Sequence, residues 1–72
     1  FAELRKLRRQ IADEQGVPAY VVFSDATLQN MAAEKPLDRR QFLEIKGVGQ
    51  TKLDLYADRF IEAIRKYLAE LP

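Results

Sequence analysis

The sequence predicts an all-α domain, a compact five-helix bundle with a helix-hairpin-helix-like element, and three observations carry that expectation. Apolar residues recur at helical spacing near both ends: Phe1, Leu4, Leu7 and Ile11, then Leu53, Tyr56, Phe60, Ile61, Ile64, Leu68 and Leu71. The β-branched run Val17-Pro18-Ala19-Tyr20-Val21-Val22-Phe23 has no second strand pattern to pair with, and a lone strand would leave its backbone groups unbonded. Finally, 72 residues leave room for one domain and one modest core.

The first stripe makes an amphipathic helix that ends near Gly16, with Lys6, Gln10 and Asp13 opposite the apolar side. Arg8 falls beside the stripe, so its stem packs and its guanidinium needs an acidic partner, for which Asp25 is the candidate. Arg5 and Arg9, one turn apart at the edge of the polar face, are free to point at a ligand. Proline at 18 disfavours a helical Val17, so an extended or single-turn connector follows. Its Val21, Val22 and Phe23 plug the core, while Tyr20 sits at the rim with its hydroxyl in water.

Ser24 or Asp25 caps a second helix carrying Leu28, Met31 and Ala32, which Glu34-Lys35-Pro36 closes. Asp38 caps a third helix of about two turns, with Leu37 as a staple and Phe42 and Ile45 turned inward. After the glycine pair the last stripe begins. Asp58 is a good N-cap type and a poor mid-helix residue, so the stripe divides near residues 57–59 into a fourth and a fifth helix. Phe1, Phe23, Phe42, Tyr56 and Phe60 follow core spacing.

Composition narrows the function classes. With no cysteine and no histidine, the common zinc sites, disulfides, thiol nucleophiles and imidazole bases are absent, and the adjacent acids Asp13 and Glu14 have no metal-ligand partners. This points away from an enzyme and from any cofactor. No apolar run approaches the roughly 18 residues that span a bilayer, and FAELRKLRRQ lacks the apolar centre of a signal peptide, so an intracellular protein with no membrane partner is expected. The chain starts and stops inside helical patterns without an initiator methionine, which reads as one domain, residues 1–72, excised from a longer protein.

The net charge of +1 hides an uneven distribution. Arg5, Lys6, Arg8 and Arg9 against Glu3 give residues 1–9 a net +3, and Arg39, Arg40, Lys46 and Lys52 against Glu44 give residues 39–52 another +3, so the remainder carries −5. Such islands serve either weak, salt-sensitive phosphate binding or a solvated mixed-charge surface.

The second island encloses the pattern apolar-x-Gly-apolar-Gly, Ile45-Lys46-Gly47-Val48-Gly49, between two helices. Glycine tolerates positive φ and has no Cβ, so the turn is tight and its N–H groups can approach a partner closely, while Val48 anchors it in the core. The N–H groups of Gly49, Gln50 and Thr51 would open the next helix and favour an anion, with Lys46 and Lys52 adding charge and Thr51 a hydroxyl. Two readings stand side by side, a bend between helices and a phosphate cradle that ignores base sequence. Tyr20 likewise is either a packed rim residue or a stacking platform for an unpaired base.

Taken together, Leu4-x-x-Leu7-Arg8, Ile11-Ala12-Asp13-Glu14, the run from Val17 through Leu28, Met31-Ala32, Pro36 and the Gly47-Val48-Gly49 hairpin with Lys52-Leu53 resemble the HRDC (helicase and RNase D C-terminal) domain, and look closest to that of bacterial RecQ-type DNA helicases. The resemblance implies a monomeric five-helix accessory module of a bacterial helicase of DNA repair and recombination, working in the cytoplasm or nucleoid. Such a module binds single-stranded or branched DNA weakly and directs an ATP-driven motor to its substrates. In RecQ-like members the DNA surface is associated with the tyrosine of the Pro-x-Tyr connector and nearby basic residues, which implies Tyr20, Arg5, Arg9 and Lys6 here. Other members of the resemblance imply two alternatives: a protein-interaction module that docks on the helicase core or a repair partner, and the RNA-contacting domain of an RNase-D-like exonuclease.

Overall fold

Each stop signal in the sequence ends a helix in the structure, a computed structural model that describes residues 1–71. Helix α1 (Ala2–Gln15) ends at Gly16, whose φ of 65° places it in the left-handed region. The Val17 N–H then closes the turn on the Ala12 carbonyl at 3.0 Å. Pro18, extended, starts α2 (Ala19–Val22), so the connector is a single helical turn and not a strand. Ser24 caps α3 (Asp25–Glu34), accepting from the Thr27 N–H at 3.2 Å. Lys35, at φ 49°, ends it ahead of Pro36.

Asp38 caps α4 (Arg39–Leu43), accepting from the Gln41 N–H at 2.8 Å, and the Gln41 side chain in return accepts from Leu37 N–H at 2.9 Å. With five residues, α4 is shorter than the expected two turns. Leu37, expected to staple this end, stays 37% exposed, and its carbonyl accepts from Arg65 Nη2 at 2.9 Å.

The five helices are reached by a different division of the chain than expected. Helix α5 (Gln50–Ala69) runs 20 residues without a break at 57–59. Asp58 does not cap a new helix: both of its carboxylate oxygens accept from Arg39, from Nε and from Nη2, each at 3.1 Å. That bidentate partner satisfies the carboxylate on the helix surface, so it does not compete for backbone N–H groups. Beside it Ala57, the best helix former, is fully buried. The one-turn α2 makes up the count.

The core centres on Phe23. Its ring meets Phe60 at 5.2 Å, Tyr56 at 5.7 Å and Phe42 at 6.0 Å between centroids, each edge-to-face, the geometry that ring quadrupoles favour. Val22, Leu28, Met31 and Ile11 close around them. Two ends of the stripes fall outside this core: Phe1, the N-cap of α1, is 45% exposed and Leu71, beyond the end of α5, 49%. Val21, expected in the plug, also faces out at 41% exposure. The radius of gyration, 11.3 Å, matches the ~11 Å of a compact chain of this length. Among the described residues no helix is long and apolar enough to cross a membrane.

Candidate nucleic-acid interface

Helix α1 packs against the one-turn α2, and the seam between them holds the first basic island. Arg5, Lys6, Arg8 and Arg9 line one open depression there with Ala2 and Ala19. Tyr20 follows Ala19 in the chain and is 71% exposed, in the position expected of it. Among the described residues Arg5, Lys6 and Arg9 form no ion pair, so their charge stays available to a ligand.

Arg8 is the exception in the island, and its role is structural. Its side chain is 10% exposed; Nη2 pairs with Asp25 Oδ1 at 2.8 Å and Nη1 donates to the buried Phe23 carbonyl at 3.0 Å. The partner expected from the sequence is the partner found. This clamp ties α1 to the α2–α3 junction and thereby sets the depression beside Tyr20. Nε of Arg8 is buried without a partner.

The second island is dispersed. Arg39 is taken up by Asp58. Lys46 lines a separate depression with Asn30, Glu34, Gln41 and Glu44. Lys52 turns inward, its ammonium 5.6 Å above the Phe23 ring. The hairpin's two lysines are therefore separated, and neither lines the depression of Arg5 and Arg9.

The two hairpin glycines serve different needs. Gly47 has φ 97°, and a Cβ there would collide with the Thr27 side chain, itself held by Ser24 at the start of α3. Its glycine is required by the turn and by close packing on α3. Gly49 has φ −100° as N-cap of α5, and a Cβ there would meet nothing within 4 Å. No side chain caps α5, and its first intrahelical bond is Leu53 N–H to the Gly49 carbonyl at 2.9 Å. The N–H groups of Gln50, Thr51 and Lys52 thus precede the helical ladder, with Thr51 exposed beside them.

Elsewhere, two exposed ion pairs join distant parts of the chain. Arg59 pairs with Glu14 through two hydrogen bonds of 2.9 and 3.2 Å, and this holds the Glu14 carboxyl below its ordinary range. Arg39 does the same to Asp58. Both arginines are correspondingly raised by these hydrogen bonds. Among the described residues no group of histidine, cysteine, aspartate and glutamate could hold a metal ion. Arg5, Lys6 and Arg9 thus bring three positive charges to one depression, and Tyr20 is exposed on the adjoining α2.

Sequence reasoning missed one neighbour of this face. The Phe1 ring lies under Arg5, 5.8 Å from guanidinium carbon to ring centroid. Their spacing, one turn apart at the start of a helix, was the available signal. Assigning Phe1 to the core obscured it.

The HRDC domain family matches residues 1–64. The chain is similar to the ATP-dependent DNA helicase RecQ of Pasteurella multocida, 49% identical over 67 residues, covering 93% of this chain and 11% of that protein. It is also similar to the RecQ of Bacillus subtilis, 46% identical over 67 residues, covering 93% of this chain and 11% of that one. With the ATP-dependent DNA helicase UvrD2 of Mycobacterium bovis it shares 40% identity over 63 residues, covering 88% of this chain and 9% of that protein. This chain therefore spans about a tenth of the length of these relatives. Among solved structures, HRDC domain 3 of D. radiodurans RecQ superposes with a TM-score of 0.90 at 37% identity, covering 93% of this chain and 88% of that one.

Proposed function

The chain belongs to the HRDC family, and from that premise we propose that it is a non-catalytic accessory domain of a RecQ-like DNA helicase, binding single-stranded or branched DNA weakly and without base-sequence preference. The contact surface is the seam of α1 and α2: Arg5, Lys6 and Arg9 take backbone phosphates, and Tyr20 stacks on an unpaired base. The observation that carries this reading is the set of three basic side chains without ion pairs around one depression, which Ala19 also lines, next in the chain to Tyr20, 71% exposed. Three cations gathered on one depression support weak, salt-sensitive binding. The N-terminus of α5, with Thr51, Gly49 and the hairpin, is a secondary phosphate contact on this reading, and Lys46 and Lys52 contribute less than Arg5 and Arg9. The domain serves to hold the helicase near forks and single strands, inside the cell where that DNA is.

The test is a fluorescence-anisotropy titration of the domain with labelled single-stranded, duplex and forked DNA at two salt concentrations. Binding to single-stranded and forked DNA that weakens with salt supports the proposal. No binding at low salt would favour docking on a protein partner, such as the helicase core, in its place.

A further inference from the structure

We propose that Phe1 is a positioning residue of the DNA face, holding the Arg5 guanidinium in place for its phosphate; this rests on the reading of that face given above. Phe1 is an aromatic residue outside the core, 45% exposed, at the N-cap of α1, where its side chain makes no capping hydrogen bond. Its backbone carbonyl accepts the Arg5 N–H at 3.0 Å, so the first turn of α1 sets the two residues one above the other. On the protein side Phe1 lines a small cavity of about 110 Å³ with Leu4, Ile64 and Tyr67. The guanidinium carbon of Arg5 lies 5.8 Å from the ring centroid, within cation–π range.

Arginine is a long side chain with many rotamers, and ordering it at a binding site weakens affinity unless it is ordered beforehand. The Phe1 ring supplies that order. Among the described residues neither Lys6 nor Arg9 has an aromatic neighbour of this kind, so Arg5 is the cation of the three that is held before DNA arrives. A planar guanidinium can lie over an aromatic ring and keep its edge donors for a phosphate, an arrangement open to arginine and not to lysine.

A double-mutant cycle on the domain tests this, read as affinity for a labelled oligothymidylate at several salt concentrations, with urea midpoints recorded for each variant. Phe1→Leu, which keeps apolar bulk and removes the ring, is expected to weaken binding about two- to fivefold, the size of an exposed cation–π contact. The salt slope should not change, because no charge is lost. Arg5→Gln should lower that slope by about 0.7, and adding Phe1→Leu to it should have no further effect. Phe1→Tyr, which restores a ring, should bind like the parent. An unchanged affinity in Phe1→Leu alongside a weakened Arg5→Gln would overturn the inference and leave the face intact. So would an equal loss from Phe1→Leu in both backgrounds, which would place Phe1 on the DNA or in the fold independently of Arg5. If Arg5→Gln itself binds like the parent, the reading of the face fails and the inference falls with it.

Discussion

Arg8 Nη2 lies 2.8 Å from Asp25 Oδ1 while its Nη1 donates to the Phe23 carbonyl, so one guanidinium joins α1 to both the end of the connector and the start of α3. The two partners are unequal. Asp25 is 69% exposed on its side chain, whereas the Phe23 carbonyl is buried and loses its donor if Arg8 is removed. Arg8→Ala is therefore expected to cost about 1–3 kcal/mol by urea denaturation, the penalty of an unsatisfied buried acceptor, with lost packing of the stem in addition. Asp25→Asn should cost less than about 1 kcal/mol, as exposed pairs do. Equal losses in the two variants would show that the ion pair, and not the carbonyl contact, carries the clamp.

Tyr20 makes the opposite prediction. Because it is 71% exposed, Tyr20→Ala should change stability by no more than about 0.5 kcal/mol. If a base stacks on it, the same substitution should weaken single-strand binding by about 1–3 kcal/mol while leaving duplex binding less affected. Anisotropy on matched single-stranded and duplex oligonucleotides separates the two effects.

The hairpin glycines should respond differently. Gly47→Ala is expected to destabilise the domain by about 1–3 kcal/mol, since its φ is 97° and the Thr27 side chain fills the space a Cβ would need. Gly49→Ser should be neutral or more stable by a few tenths of a kcal/mol, because it adds a side-chain cap to α5 in open space. Thermal melts of both variants check this, and a large loss from Gly49→Ser would contradict the geometry.

Much of this fold is legible in the sequence, and the exceptions share a physical origin. Gly16, Ser24 and Asp38 act through their own backbone or the next turn, so local chemistry announces them. Arg8 announces its partner Asp25 because a charge beside an apolar stripe must be neutralised, but not the buried Phe23 carbonyl it also serves. Asp58 misleads because its partner, Arg39, stands 19 residues upstream and is invisible to any local window. Phe1 and Leu71 mislead because periodicity shows which side of a helix is apolar and not where the helix begins and ends. The candidate site divides likewise. Arg5, Lys6 and Arg9 fall together because one helix carries them, while Lys46 and Lys52 part because the direction of each side chain depends on what the turn packs against.

The two exposed ion pairs give the domain a pH dependence of known sign. Hydrogen bonds from Arg59 and Arg39 lower the folded-state pKa of Glu14 and Asp58 below their ordinary values near 4.5 and 3.8. Their stabilisation is thus present above those values and lost as pH falls through the lower folded-state ones. Both carboxylates are solvent-exposed, so the effect is small. Urea midpoints measured from pH 6 to pH 2 should decline across this window, and less steeply in the Glu14→Gln/Asp58→Asn double variant. An identical decline in both proteins would assign the acid sensitivity to other groups.

The salt dependence of single-strand binding tests the central claim most directly. If Arg5, Lys6 and Arg9 are the phosphate contacts, log K against log salt for the parent domain should have a slope of about −2, from three phosphates at about 0.7 each. The triple substitution of these residues by glutamine should bring that slope close to zero, whereas Lys46→Gln should leave it nearly unchanged. A parent slope that survives the triple substitution and collapses on loss of Lys46 and Lys52 would move the interface to the hairpin and contradict the account.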